Sequence, residues 1–256
     1  MNKNSVLTTY DKDLRLHVLY PEARREVTCN VVRFIRQAPG MNFVSFTIAT
    51  EPKLDRVIDS ELEYVSPLRQ PFTWKVYEHD RLPSLGEKLF ARGYAVDGEP
   101  GAIMMLDVNQ VTTPRVKATG ADIRRITTRD GLKDVVRVLD SVYGGHNDWV
   151  NERMSLHLQI PGYLSIYASY ADDEPVSVAW TYFPRGHFAT LYGGTTLPAY
   201  RNRGLYTSLL HARLDEIRER GYPFAVVEAG AMSKSIVAKH GFQHLTTVYD
   251  YEWQGN

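Results

Sequence analysis

Tyr192-Gly-Gly-Thr-Thr-Leu-Pro-Ala-Tyr-Arg-Asn-Arg-Gly-Leu-Tyr-Thr-Ser-Leu-Leu210 is the most informative stretch of this 256-residue chain. A strand reads as ending near Thr196, a short loop follows, and Arg201-x-x-Gly204-x-Tyr206 leads directly into a helix. Backbone N–H groups at a helix start lack intrahelical partners, and the helix dipole favours negative charge there. Such a loop can therefore hold a pyrophosphate. Gly204 lets the backbone approach the phosphates, and Arg201 or Arg203 can add a charge-assisted hydrogen bond. Taken alone, the same residues also read as a solvated turn. The second glycine of a dinucleotide fingerprint and the Lys-Ser/Thr of a P-loop are absent.

Outward from that loop, the elements follow from periodicity. Downstream, a helix over residues 203–220 carries the apolar stripe Tyr206, Leu209, Leu210, Leu214 and Ile217, interrupted by Arg213 and closed by Gly221. A buried strand at 224–229, a short helix at 233–240 ended by Gly241, and a last strand at 242–253 complete the chain. Upstream, 188–196 is the third strand of a meander. Its first two strands, 163–170 and 176–182, alternate with period two around Asp172-Asp173-Glu174-Pro175. Helices over 129–143 and 148–158 and a short strand at 122–127 come before it. A strand–helix–strand crossover places its two strands parallel in one sheet, so the class is α/β, with a mixed, mainly antiparallel sheet around a β-α-β core.

The polar stretch 107–120, with Pro114 and Gly120, reads as a linker with a boundary near Arg115, dividing 1–115 from 116–256. In the first part, 25–36 reads as helix or strand, 43–49 as strand, 53–65 as helix and 72–77 as strand. A helix at 82–92 stopped by Gly93 precedes strands at 94–96 and 102–108. Leu85-Gly-Glu-Lys-Leu-Phe-Ala-Arg-Gly-Tyr94 and Ser233-Lys-Ser-Ile-Val-Ala-Lys-His-Gly-Phe242 are both short helices ending in Gly-aromatic, each between two strands. This is the pattern of an internal repeat.

Lys+Arg and Asp+Glu both total 30, so there is no whole-molecule attraction to nucleic acid or to an anionic membrane. No apolar run approaches the ~20 residues of a membrane span, and the first residues carry no apolar signal region; the expected compartment is the cytoplasm. The single cysteine, Cys29, excludes an internal disulfide and, flanked by Val27, Val31 and Val32, reads as core filler. No metal site is read from the eight histidines.

With these elements in this order, residues 122–253 resemble the GNAT superfamily of N-acetyltransferases. The family's pyrophosphate motif is Arg or Gln, two residues, Gly, one residue, then Gly or Ala. Leu197-Pro-Ala-Tyr-Arg-Asn-Arg-Gly204 is similar to the family's approach to that loop, and Phe224-Ala-Val-Val-Glu-Ala-Gly230 to its next strand. The resemblance implies an acyl-CoA-binding core, acetyl-CoA as co-substrate, and a primary amine of a small molecule or peptide as acceptor. Gly193-Gly194 and the segment 233–242 also resemble members that carry a degenerate copy of the fold at the N-terminus. Trp74-Lys-Val-Tyr-Glu-His-Asp, its downstream helix and Gly93-Tyr94 fit that copy. No Arg-x-x-Gly loop precedes Arg115, so one CoA site per chain is expected, and a homodimer is compatible with the reading.

The resemblance further implies that Gly194, Thr195, Thr196 and Leu197 line the pantetheine arm through their backbone. Arg201 and the N–H groups of Asn202, Arg203, Gly204, Leu205, Tyr206 and Thr207 are expected at the pyrophosphate, and Ser233 is a further cofactor-binding candidate. An amide near Thr196 or Leu197 would polarise the thioester carbonyl. Two departures stand out: Tyr206 occupies the place of Gly or Ala, and Val237 the place of the Tyr that protonates the leaving thiolate in many members. Glu228, with Phe224 and Val226 on its strand, is the candidate base, because burial would give its carboxylate the basicity that deprotonating an amine needs. Its alternative role is to cap or to pair with Lys234. Tyr192 is the candidate acid by residue type, as is Tyr249, while His240 reads as a helix-end residue and His187 as exposed. The aromatic, acidic loop Tyr143-Gly-Gly-His-Asn-Asp-Trp149 could suit a cationic amine. Two other readings stay open: a non-catalytic acyl-CoA sensor, and an aminoacyl or other acyl transferase of the same fold. The neutral charge argues against a tRNA substrate.

Overall fold

The computed structural model describes residues 2–36, 40–110, 122–145 and 147–254, apart from the Met232 side chain. The chain begins with α1 (Lys3–Tyr10), β1 (Ala23–Val27), β2 (Val31–Arg36), β3 (Asn42–Thr47), α2 (Leu54–Val65), β4 (Phe72–Tyr77), α3 (Leu85–Phe90), β5 (Ala95–Val96) and β6 (Gly101–Asp107). It continues with β7 (Asp122–Ile126), α4 (Leu132–Tyr143), α5 (Asp148–His157), β8 (Leu164–Ala171), β9 (Glu174–Tyr182) and β10 (Phe188–Thr196). The last elements are α6 (Leu205–Glu219), β11 (Phe224–Ala229), α7 (Ala231–Lys239) and β12 (Gln243–Trp253). Two compact units result, one of residues 1–104, 229–238 and 244–256, the other of residues 105–228 and 239–243.

In the second unit, β8 to β10 form an antiparallel meander, β7 lies antiparallel beside β8, and β11 runs parallel to β10, with α6 as the connection. The β8–β9 hairpin turns on Asp172 and Asp173 with φ of 51° and 61°, a two-residue geometry that matches strand twist and that Asp tolerates. Ile166, Ala168 and Val178 project from one sheet face onto Leu132, Val135, Val138 and Leu139 of α4 and onto Val150 and Met154 of α5. The helical spacing of the first set and the period-two spacing of the strand residues produce that single apolar layer. α6 buries Leu209, Leu210, Leu214 and Ile217.

In the first unit, β1, β2 and β3 are antiparallel neighbours, β4 is parallel to β3 with α2 between them, and β12 is antiparallel to β4. Leu54, Val57, Ile58 and Val65 of α2 and Leu85 and Leu89 of α3 pack on Val31, Val44, Phe72 and Trp74, and Tyr251 and Trp253 of β12 join that core. A π-helical turn at Asp11–Leu16 brings Arg15, 1% exposed, to Asp80 at 2.8 and 2.9 Å and to Asp11 at 2.7 Å. The buried cation is thus fully paired, as burial of a charge requires.

Several expectations change. Residues 25–36 are two strands, and α1 was not legible from periodicity. Cys29 is exposed, not core. It lies in the β1–β2 turn, where the Thr28 hydroxyl accepts hydrogen bonds from the N–H groups of Asn30 and Val31, so its flanking valines do not bury it. The boundary near Arg115 lies outside the described residues. The division into 1–115 and 116–256 differs from the compact units, because β12 pairs with β4 and β5 and therefore belongs with the N-terminal residues. Among the described residues no helix is long and apolar enough to cross a membrane.

Candidate functional site

β10 pairs with β9 through Tyr192↔Trp180, then resumes at Thr195↔Val178 and Thr196↔Ser177, so β10 carries one extra residue. This is a β-bulge. Gly193 there has φ 61°, and a Cβ on it would lie 1.8 Å from the Trp180 ring. A Cβ on Gly194 would lie 2.6 Å from the Tyr206 ring. Two aromatic rings, one from each neighbouring element, occupy the space that side chains would need. Gly193→Ala should therefore destabilise the protein by about 2–4 kcal/mol, combining overpacking with a left-handed backbone. Gly230→Ala, with open space at its Cβ, should shift the urea midpoint little. Equal shifts for the two variants would refute this account.

The bulge fixes which amides remain for a ligand. The Leu197 N–H donates to the Val176 carbonyl at 2.9 Å, so Leu197 is removed as an oxyanion donor. Alternate amides of an antiparallel strand point to opposite sides, which directs the Thr196 N–H away from β9. On that side the parallel register with β11 runs from Phe188↔Phe224 to Thr190↔Val226, well short of Thr196. The Ser177 hydroxyl donates to the Thr195 carbonyl at 2.9 Å and holds this segment from below. The Tyr143 hydroxyl lies 3.1 Å from Thr195 Oγ1, tying the end of α4 to the bulged strand. Sequence reading missed both contacts; residues 143 and 195 belong to elements whose pairing no local pattern encodes.

After a 3-10 turn at Pro198–Tyr200, Asn202 (φ 61°) and Gly204 (φ 78°) are left-handed, and α6 starts at Leu205. Glycine is the natural residue at this N-cap because a Cβ is disfavoured at that φ. No side chain caps the helix, its first turn holds no acidic residue, and Arg201, Asn202 and Arg203 are exposed. The Arg203 guanidinium stacks 4.9 Å over the Tyr200 ring, and Arg201 Nε donates to the Thr196 carbonyl at 3.3 Å. Unsatisfied N–H groups, a helix dipole and two cations all face the same loop. That arrangement suits a multiply charged anion.

Residues 114–231 match the model of the acetyltransferase (GNAT) domain family. These residues are a GNAT domain. The fold of the whole chain is similar to that of a GCN5-related N-acetyltransferase from Kribbella flavida, with 12% identity and a TM-score of 0.73 over 99% of this chain and 95% of that one. It is also similar to a tandem GNAT protein from the clavulanic acid biosynthesis pathway, at 12% identity and a TM-score of 0.64 over 87% of this chain and 78% of that one. A GCN5-related N-acetyltransferase from Sphaerobacter thermophilus aligns at 10% identity and a TM-score of 0.62, over 89% of this chain and 81% of that one. No curated protein matches the sequence. The fold is thus the mixed α/β GNAT fold, and the bulged β10 and the loop to α6 lie in the matched GNAT domain.

Within that domain, Thr195 is buried, Thr196 and Leu197 are half-buried and Gly194 is exposed. Tyr206 is half-buried with its ring against Gly194, which resolves the first departure: a large ring on α6 is accommodated by the missing side chain on β10. Leu205 is buried as the first α6 residue, and Thr207 Oγ1 lies 3.4 Å from His240 Nε2. Burial, and then the neighbouring His211, hold the His240 imidazole below the usual histidine range. His240 and His244 are four residues apart but sit on either side of Gly241, and among the described residues no cluster of three or more metal-ligating side chains occurs.

Glu228 is exposed, which corrects the expectation of a buried carboxylate. Residue 228 shares the strand parity of Phe224 and Val226 but lies past the last β10–β11 pair, Thr190↔Val226, near the end of the strand. Tyr192 is 45% exposed, with its ring edge-on to Tyr182 at 5.7 Å. Ser233 falls in the other compact unit, and its hydroxyl donates to the Gly230 carbonyl at 3.2 Å. Val237 is buried.

Proposed function

We propose that this chain transfers an acetyl group from acetyl-CoA to a primary amine, using the GNAT domain as its single CoA site. The observation that carries the proposal is the loop Arg201–Gly204: two left-handed residues, Asn202 and Gly204, alternating with the exposed Arg201 and Arg203, and opening an uncapped helix after a bulged strand. Acetyl-CoA supplies the activated acyl group as a thioester. Arg201, Arg203 and the amides from Asn202 to Thr207 bind its pyrophosphate, and Gly194 to Thr196 align the pantetheine arm. The Thr196 amide polarises the acyl carbonyl, a role in which one well-placed donor is worth about 10²–10³ in rate.

Glu228 serves as the base that takes the proton of the incoming amine, directly or through water. Its exposure leaves it accessible to an acceptor, and a base must lie within hydrogen-bond reach of the proton it removes. Tyr192 is the acid proposed for the departing sulfur, since Val237 cannot donate. Glu228→Gln should lower kcat at least tenfold while CoA affinity is retained; stopped release of CoA against a panel of amines measures the first, calorimetry the second. Normal turnover by the variant would assign Glu228 to structure alone.

The acceptor approaches past the loop after α4. That loop is pinned where the Asp140 carboxylate accepts from the Asn147 backbone and side chain at 3.0 and 2.7 Å. Arg153 already stacks 4.7 Å over Trp149, so that ring is committed to a cation of the chain itself. This weakens the case for Trp149 as the seat of a cationic amine. The non-catalytic sensor reading keeps one supporting observation, the buried Val237 in place of an acid. No CoA released with any amine, alongside normal acetyl-CoA binding, would favour it.

For the N-terminal residues we infer a degenerate copy of the same fold. The parallel β3–α2–β4 crossover has the pattern of β10–α6–β11. At the start of α2, however, the position of the phosphate loop holds Glu51, whose carboxylate accepts from the N–H (3.0 Å) and the hydroxyl (2.5 Å) of Ser84. A carboxylate there repels the anion that the other loop attracts.

A further inference from the structure

Arg213 lies in the middle of α6 and is 2% exposed, next to the buried Leu209, Leu210, Leu214 and Ile217. Its Nε donates to the Leu209 carbonyl at 3.3 Å, one turn earlier. Its Nη1 reaches the carbonyls of Trp180 and Tyr192 at 3.4 and 3.5 Å. The Tyr206 side chain, two turns earlier on the same face, is its remaining partner. Among the described residues no carboxylate pairs with it. The buried acid of the same helix, Glu216, is taken by Arg125 at 3.0 Å, by Arg220 at 2.6 Å and by the Tyr167 hydroxyl at 3.1 Å.

Arginine keeps its proton in proteins, so among the described residues this is a buried charge without a counter-ion. Burial pulls the Arg213 guanidinium below its usual proton affinity, and Tyr206 offsets part of that pull. A methionine would fill a similar volume without the desolvation cost. The partners of the guanidinium also share one location. Tyr192 is the residue before Gly193-Gly194, Trp180 supplies the ring that fills the space at Gly193, and Tyr206 supplies the ring against Gly194. Every polar contact beyond the α6 backbone bears on the bulge.

We propose that Arg213 is a positioning residue that pins the β10 bulge and maintains an uncompensated positive charge on its α6 side, where it favours negative charge on the acyl-CoA sulfur. The inference rests on the acyl-CoA reading above. In the transfer, the amine nitrogen bonds to the acyl carbon, the carbon–sulfur bond breaks, and its electron pair leaves on sulfur; the amine proton goes to the base. A fixed cation acts on the sulfur as it gains that pair, and a low-dielectric setting strengthens the effect.

The test uses the full chain with CoA as the probe and reads the ultraviolet absorbance of the bound thiolate across pH, with the CoA dissociation constant and the melting temperature measured in parallel. In the wild-type protein, bound CoA should show about tenfold more thiolate than free CoA at the same pH below the thiol midpoint. Arg213→Met should lose that excess while binding CoA within about threefold of wild type, and Arg213→Lys, which keeps the charge, should retain most of it. A role confined to packing would change the melting temperature but leave the thiolate fraction alone. Equal thiolate fractions in wild type and Arg213→Met overturn the proposal, as does wild-type CoA titrating like free CoA. If Arg213→Met does not fold, a folded Arg213→Lys whose bound CoA titrates like free CoA overturns it equally. Failure of the wild type to bind CoA at all would instead sink the acyl-CoA reading, and this inference with it.

Discussion

Gly204→Glu should abolish acetyl-CoA binding by the intact chain. Gly204 is the N-cap of α6 at φ 78°, so any side chain there meets backbone strain of about 1–2 kcal/mol. Glutamate adds a negative charge at the helix end that should receive a pyrophosphate, reversing an interaction worth up to about 2 kcal/mol. The carboxylate also follows Arg203 directly and lies three residues from Arg201, so it competes with the ligand for these cations. Together these effects should weaken binding by more than a hundredfold. Gly204→Asn separates strain from charge, because asparagine tolerates the left-handed region; it should bind measurably, though less tightly than wild type. Titration calorimetry of the wild type should give one acetyl-CoA per chain. Two sites, or unchanged affinity in the glutamate variant, would contradict both the site and its uniqueness.

A fragment of residues 116–256 should be insoluble or far less stable than the whole chain. In the structure β12 lies in the compact unit formed by the N-terminal residues, antiparallel to β4 from Val248↔Tyr77 to Trp253↔Phe72 and to β5 at Tyr251↔Val96. Cutting at 116 removes β4 and β5 from this long strand and uncovers Val248, Tyr251 and Trp253. An unpaired apolar edge of that length templates aggregation. Adding residues 1–115 in trans should restore solubility if the N-terminal part acts by pairing alone. Sedimentation and thermal melting of the fragment decide the matter: a soluble monomer with wild-type melting would show that β12 does not need those strands.

Most elements of the second unit were legible because each is coded by short-range periodicity. The period-two runs at 164–171 and 174–182 and the stripe Leu132, Val135, Leu139 specify their conformations without reference to the rest of the chain. The loop chemistry was legible for a related reason. Arg201-x-x-Gly204 before an apolar stripe brings cations, a residue able to take positive φ and a helix start into a few consecutive positions. All of these act through local backbone geometry.

Tertiary structure alone decided the rest. Leu197 and Thr196 look equivalent in sequence, yet pairing with Val176 removes one amide and the strand parity turns the other away from β9. Glu228 reads as buried by alternation with Phe224 and Val226, yet it is exposed past the last β10–β11 pair, because how far along a strand its face stays covered is set by tertiary packing and not by alternation. Arg213 looks like an interruption of an apolar stripe until the bulge carbonyls arrive from two other strands. β12 has the pattern of a strand, while its partner, β4, lies about 170 residues away in sequence. Hydrophobic periodicity reports what a segment does to its own nearest residues; partner choice, burial of a particular side chain and the fate of a particular amide are set by contacts closed over long loops, and those exist only once the chain has folded.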